Sequence, residues 1–208
     1  MRPAIIGALL VTVFASSSPA QDWRTRGEDP CACTDSMPFI VGPRPPVTTP
    51  EQIAQMVRDS RSDACPVSRL AVEALRDTQH PTATVALVEA LGHTACAIRA
   101  SAAYSLIRHE HQAIAPSLTR LLADPDQRVR QAAAYALGRH PHRPAVPALV
   151  GLLSDRSKHV RQAAVEALGR SGDTSVREAI SALLDDPEPH VRQAAREALS
   201  RLPRAGRR

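Results

Sequence analysis

The sequence predicts an all-α solenoid of about five helix pairs on a 31-residue period. Three observations carry this. Val67, Ile98, Val129, Val160 and Val191 stand 31 residues apart, and Leu75, Leu106, Leu137, Leu168 and Leu199 follow each of them by eight. The string VRQAA recurs at 129–133, 160–164 and 191–195. Aromatic residues make up only 2% of the chain, so the core has to be built from Ala, Leu and Val, which suits close-packed helices better than a sheet sandwich. A fixed period of this length marks a stack of supersecondary units, each burying its apolar face on the next.

In chain order, residues 1–20 read MRPAIIGALLVTVFASSSPA. One positive charge, an apolar run over 4–15, and small residues Ser18 and Ala20 at the cleavage positions predict a secretory signal peptide. The run is too short for a membrane span, which needs roughly 20 residues, and no cysteine follows to accept a lipid. The expected mature chain begins near Gln21 and is periplasmic or secreted. Residues 21–49, including CACTDSMPFIVGPRPPVTT, are rich in proline and turn formers without a helical period, and predict an extended leader. Residues 50–203 hold the repeats, and 204–208 a basic tail read as a frayed end.

Each unit predicts two helices. In the third unit, 111–123 carries Ile114, Leu118, Leu121 and Leu122 at helical spacing, and 127–137 carries Val129, Ala132, Ala133, Ala136 and Leu137. Gly138 and Gly169 follow the second helices in register, as left-handed C-caps would. Asp124-Pro125 and Asp186-Pro187 break the chain between the two helices of a unit.

The stretch DPDQRVRQAAAYALGRHPHRPAVPALVGLLSD, residues 124–155, resembles the HEAT-like repeats of phycobilin lyases and many bacterial scaffold proteins. The likeness is strongest in units three to five. It implies a right-handed superhelix and says little about function. In that family, residues similar to Asp124 and Arg130, Asp155 and Arg161, and Asp186 and Arg192 form a ladder that hydrogen-bonds one inter-helix loop to its neighbour. A planar guanidinium can satisfy a carboxylate and loop carbonyls together. VRQAA is therefore read as scaffolding. Unit two has His93 and Arg99 and unit one Ser62 and Ser68, so the ladder is expected to fail there.

The resemblance also implies that the second helices line the concave surface. With Val129, Ala132, Ala133, Ala136 and Leu137 facing inward, positions 131, 134, 135 and 138 lie opposite, by the 100° rule. The same positions in other units include Val72, Ala103, Tyr104, Ile107, Gln162, Val165 and Glu166. The only two tyrosines, Tyr104 and Tyr135, thus fall in register with Ile107, Gln131, Gln162 and Glu166 around them. An aromatic patch with a polar rim is the composition of a binding hot spot, although ordinary packing between helices would also place two rings there.

Four cysteines in an exported chain favour disulfides. Cys65 and Cys96 are 31 apart, and equivalent positions of stacked repeats usually lie about 10 Å apart, beyond the roughly 7 Å limit for a direct bridge unless the stack is unusually tight. The preferred pairing joins Cys31 and Cys33 to Cys65 and Cys96 in either order, each bridge contributing about 3 kcal/mol. A four-cysteine zinc site and a redox Cys-x-Cys are the alternatives. His80, His111 and His142, with His109 and His140, recur near the inter-unit turns and raise a second metal reading, against the simpler one that turns favour polar residues. His159 and His190 read as solvent-facing.

Catalysis is not expected. Deoxyhypusine hydroxylase, built on similar repeats, holds two irons with repeated His-Glu pairs, whereas Gln131-Ala132, Gln162-Ala163 and Gln193-Ala194 stand here and His109-Glu110 falls at the wrong end of its helix. Related DNA glycosylases need an aromatic cleft, but Trp23 lies in the leader. No nucleophile triad, phosphate loop or glycine-rich nucleotide fingerprint is present, and no cofactor or resident metal is expected. Charge adds little: 26 basic and 21 acidic side chains are mostly interleaved, and export disfavours nucleic acid. The expected function is a non-catalytic scaffold of the cell envelope that binds a protein or peptide on its concave face. The alternatives are a metal-binding or redox envelope protein and a structural spacer in a larger complex.

Overall fold

The computed structural model describes residues 49–62 and 65–203, without the side chains of 65 and 66. The expected signal peptide, the leader with Cys31, Cys33 and Trp23, the Cys65 side chain and the tail 204–208 lie outside the described residues. Ten α-helices and no strand form within them. They pair as α1 (Pro50–Ser60) with α2 (Cys65–Leu75), α3 (Pro81–Ala90) with α4 (Cys96–Ser105), and α5 (Ile114–Leu121) with α6 (Gln127–Leu137). The last two pairs are α7 (Val146–Gly151) with α8 (Lys158–Ser171) and α9 (Arg177–Ser181) with α10 (Pro189–Arg201).

Local chemistry sets the helix ends. Thr49 and Gln52 form a reciprocal capping box on α1, and Asp126 accepts the Arg128 amide at the start of α6. The first helices are shorter than their periodicity suggests. α5 starts at Ile114 rather than 111, because Pro116 fixes the first turn and cannot sit deeper in a helix. After Leu121 the chain tightens into i→i+3 bonds, from Leu122 to Thr119 and from Asp124 to Leu121.

The core follows the period. Ile98, Val129, Val160 and Val191 are fully buried, as are Leu75, Leu106 and Leu168. Alanine fills one position in all five units, Ala71, Ala102, Ala133, Ala164 and Ala195, each buried. This small side chain lets each second helix lie directly on the second helix of the next unit, so α2, α4, α6, α8 and α10 form one continuous layer. The open-face assignment of Val72, Ala103, Ala134 and Val165 is corrected by this layer. All four are 0% exposed, because the side of the helix they occupy is where the neighbouring second helix packs. Arg196, in the same register on α10, is exposed, with no further second helix packed on it among the described residues.

The glycines are corrected as well. Gly138 ends α6 with φ −64°, and Gly169 lies inside α8. The only positive φ among the described residues belongs to Gly172, at +71°, which caps α8. Gly169 is required by proximity: a Cβ there would stand 2.6 Å from Ala198 Cβ and 2.8 Å from Ala198 Cα, both on α10.

Candidate functional site

The ladder residues come first because they hold the layer in register. Arg130 donates from Nε and Nη2 to both carboxylate oxygens of Asp155, at 2.8 and 3.0 Å, and from Nη1 to the carbonyls of Asp124 and Pro125. Arg161 repeats this with Asp186 and the Asp155 carbonyl. Each arginine therefore closes its own loop and bridges to the carboxylate 25 residues ahead, in the next unit. The ladder also reaches unit two, contrary to expectation. Arg99 makes the same bidentate pair with Asp124 and binds the His93 and Thr94 carbonyls. An acid in the following unit is what the arginine needs, so His93 in place of an aspartate does not break it. His93 instead accepts the Ala95 amide at the turn. Arg192 keeps the Asp186 and Pro187 carbonyls, with no further carboxylate ahead of it among the described residues. The Arg161 hydrogen bonds hold Asp186 below the usual carboxylate range against the opposing effect of burial. At Asp155 burial pulls upward, but the Arg130 guanidinium and the Ser157 amide outweigh it and hold the carboxyl low.

Four of the five histidines of the turns, His80, His109, His111 and His140, are engaged within the fold. His109 is 1% exposed; its Nδ1 meets Thr84 Oγ1 at 2.8 Å and its Nε2 lies 2.9 Å from the Arg76 carbonyl. His140 Nε2 repeats the second contact on Leu106 O. His80 and His111 accept amides at helix starts, from Thr82 and Ala113. His159 and His190 stack with centroids 6.0 Å apart. Cys96 is disulfide-bonded, its partner outside the described residues, so its sulfur is not a thiolate ligand.

Burial, opposed by hydrogen bonding to the Arg76 and Leu75 backbone, pushes the His109 imidazolium pKa down. A lowered folded value means that the unfolded chain binds the proton first, so stability is complete above about pH 6.5 and falls as pH drops below it. Asp155 and Asp186 add a second loss below about pH 4, where unfolded carboxylates protonate first. We expect the melting temperature to fall in two stages between pH 7 and 3, and His109→Gln to remove the dependence of the first stage. A melting temperature constant from pH 7 to 5 in the parent would contradict this.

On the open face of the second helices, Tyr104 of α4 and Tyr135 of α6 meet with ring centroids 5.9 Å apart and planes tilted by 46°, a favourable aromatic arrangement. Tyr104 packs on the core. Its phenol is pushed up to about 12, first by burial and then by Tyr135, against the pull of Arg128. Tyr135 is 38% exposed, one of three large apolar or aromatic side chains so open among the described residues. The face is built from i,i+4 pairs on successive helices. Arg69 and Glu73 are ion-paired at 3.0 Å on α2, the tyrosines occupy α4 and α6, and Gln162 donates to Glu166 at 3.0 Å on α8. Gln131 lies half-buried, one turn before Tyr135.

Beside Tyr135 opens a groove of about 550 Å³, lined also by Gln79, Ile107, Arg108, His109, Glu110, Arg139, His140 and Arg170. It joins two expected residues, Tyr135 and Ile107, to arginines that the sequence reading passed over. Arg108, Arg139, Arg170 and Arg201 stand in one 31-residue register, which was the available signal. Basic residues at helix ends also complement the helix dipole and so attract no notice. Arg108 pairs with Asp77 at 2.8 Å and Arg201 with Glu197 at 3.4 Å.

Models of HEAT repeats match residues 51–136 and 114–200. The chain belongs to the HEAT repeat family. The HEAT repeat chain is similar to the solved complex of CpcE and CpcF of phycocyanin lyase from Nostoc sp. PCC7120. The two share 27% identity and a TM-score of 0.67, over 82% of this chain and 70% of that one. A designed armadillo repeat protein in complex with the peptide (KR)4 shares the fold at 16% identity and TM-score 0.57, over 76% of this chain and 88% of that one. No curated protein matches the HEAT repeat chain.

Proposed function

We propose that this HEAT repeat protein is an exported, non-catalytic scaffold that binds a protein segment across the open face of its second helices. The observation that carries the reading is the tyrosine pair. Tyr104 is anchored on the core and buttresses Tyr135, which presents its ring to solvent beside the groove. A rigid, half-open aromatic ring in a polar surround supplies contact area at little entropy cost. Export rests on residues 1–20 of the sequence and on the disulfide at Cys96. The scaffold reading draws support from the designed armadillo repeat protein, which shares the fold and is in complex with a peptide.

The likeness to CpcE and CpcF favours a second reading, in which the chain is one subunit of a lyase-type assembly and its partner is another solenoid. One experiment separates the two. Protein captured from envelope extract by the mature chain is identified by mass spectrometry and compared with capture by Tyr135→Ala. Tyr135 is exposed, so its loss spares the core, whereas Tyr104→Ala would remove packing. The expected result is a specific partner captured by the parent and reduced by about tenfold or more in Tyr135→Ala, at unchanged melting temperature. A partner built of similar repeats would favour the assembly reading, and equal capture by both chains would place the binding surface elsewhere.

A further inference from the structure

We infer that the groove beside Tyr135 selects an acidic, extended peptide, whose carboxylates are received by Arg139 and Arg170. This rests on the proposed binding face and specifies the chemistry of its ligand.

Arg139 and Arg170 are both exposed and line the groove, yet neither side chain makes a hydrogen bond or ion pair with a described residue. Their register mates do: Arg108 takes Asp77 and Arg201 takes Glu197. The difference has local causes. Tyr135 stands where α10 has Glu197, so Arg139 has no acid one turn back. Arg170 does have Glu166 one turn back, but that carboxylate is held by Gln162. Arg170 instead reaches over the preceding unit, where a Cβ built on Gly138 would stand 3.0 Å from its Nη1. The glycine leaves room for the guanidinium at the groove wall. Two cations without counterions among the described residues thus flank an exposed tyrosine.

Spacing selects an extended chain. Packed helices lie about 8–10 Å apart, and an extended chain in the polyproline II conformation advances about 3.1 Å per residue with three residues per turn, which places every third side chain on one side. Carboxylates three residues apart would therefore reach arginines of adjacent units, with the peptide passing beside Tyr135 and Ile107. Guanidinium groups favour carboxylate through paired hydrogen bonds. A nucleic-acid strand fits less well, because Glu110 lines the groove and Glu166 borders the tyrosines, which would oppose a continuous phosphate backbone.

The test is fluorescence anisotropy on the mature chain with a short labelled peptide carrying glutamate at every third position and leucine or tyrosine between. Its glutamine and lysine analogues are measured alongside. We expect the acidic peptide to bind at least about tenfold more tightly than either analogue, with affinity falling as salt is raised. Arg139→Gln combined with Arg170→Gln should reduce acidic-peptide affinity to that of the glutamine analogue at unchanged melting temperature. Arg170→Glu should improve the lysine analogue. The inference is overturned by equal binding of the acidic and glutamine peptides, by a double variant as tight as the parent, or by no saturable binding of the acidic peptide. It is also overturned if a single-stranded oligonucleotide displaces the peptide at lower concentration than the peptide itself binds. Should the glutamine analogue bind equally well but lose affinity in Tyr135→Ala, the binding face stands and only its charge selectivity fails.

Discussion

Replacing Arg161 by alanine lowers the stability of the solenoid by about 3–5 kcal/mol on this account, the range for breaking a buried ion pair from one side. The loss has three sources. The two bonds to Asp186, at 2.7 and 2.9 Å, disappear. The Asp155 carbonyl loses its donor at 3.0 Å. Asp186, with its side chain only 6% exposed, is left charged without its counterion. The third dominates, because an unpaired buried carboxylate cannot recover its hydration. Arg192→Ala is the internal comparison: its guanidinium binds the two loop carbonyls, with no carboxylate ahead to strand. Its loss should be clearly smaller. Urea unfolding of both variants measures the difference, and equal losses would show that the inter-unit carboxylate adds nothing. A combined Arg161→Met, Asp186→Leu chain should recover most of the stability, since apolar replacement of a whole buried pair is often neutral.

The second large effect is expected at Gly169. A β-carbon at this position would overlap the α10 backbone at Ala198, and neither helix can move without disturbing the ladder between units four and five. Gly169→Val should therefore destabilise by about 1–3 kcal/mol, the usual penalty for overpacking. This holds even though replacing a glycine in a helix interior by a residue with a side chain normally stabilises. Gly151 on α7 has nothing within 4 Å of its would-be β-carbon, so Gly151→Ala should stabilise by up to about 1 kcal/mol. Opposite signs at the two glycines, read by denaturant midpoints, are the outcome that supports close helix approach at Gly169. Stabilisation at both would show that α8 and α10 have room to spare.

These two cases also show where sequence was informative. The bounds of α6 coincide with the stretch read from periodicity, since Val129, Ala132, Ala133, Ala136 and Leu137 all face one core and nothing competes for that pattern. Gly138 and Gly169 read as left-handed caps in the sequence because a glycine can serve a positive φ or a close contact, and only the stacked helix, with Ala167 beside Gly138 and Ala198 beside Gly169, tells the two apart. Val72, Ala103, Ala134 and Val165 were placed on the open face because a single helix has an inside and an outside, while a helix in a layer also has two flanks. The acceptors of the ladder arginines were hidden by sequence distance. A carboxylate 25 residues ahead looks remote until the units stack, and for the same reason Arg99 was left out of the ladder.

The tyrosine pair was legible because rarity and register coincided: two tyrosines in the chain, 31 residues apart. Arg139 and Arg170 were equally regular but lay among many arginines. What distinguishes them is their place in the groove beside Tyr135 without an ion pair to any described residue, which depends on Gln162 holding Glu166 and on tyrosine standing at position 135.

The most direct measurement places a photoreactive phenylalanine analogue at position 135, and in a parallel chain at Val85, which is 43% exposed on the first-helix side at α3. Both chains are irradiated in envelope extract. If the open face of the second helices is the binding surface, a discrete adduct forms through position 135 and none through 85, and it diminishes when unmodified mature chain is added as competitor. An adduct through position 85 alone would contradict the account and move the binding surface to the first helices.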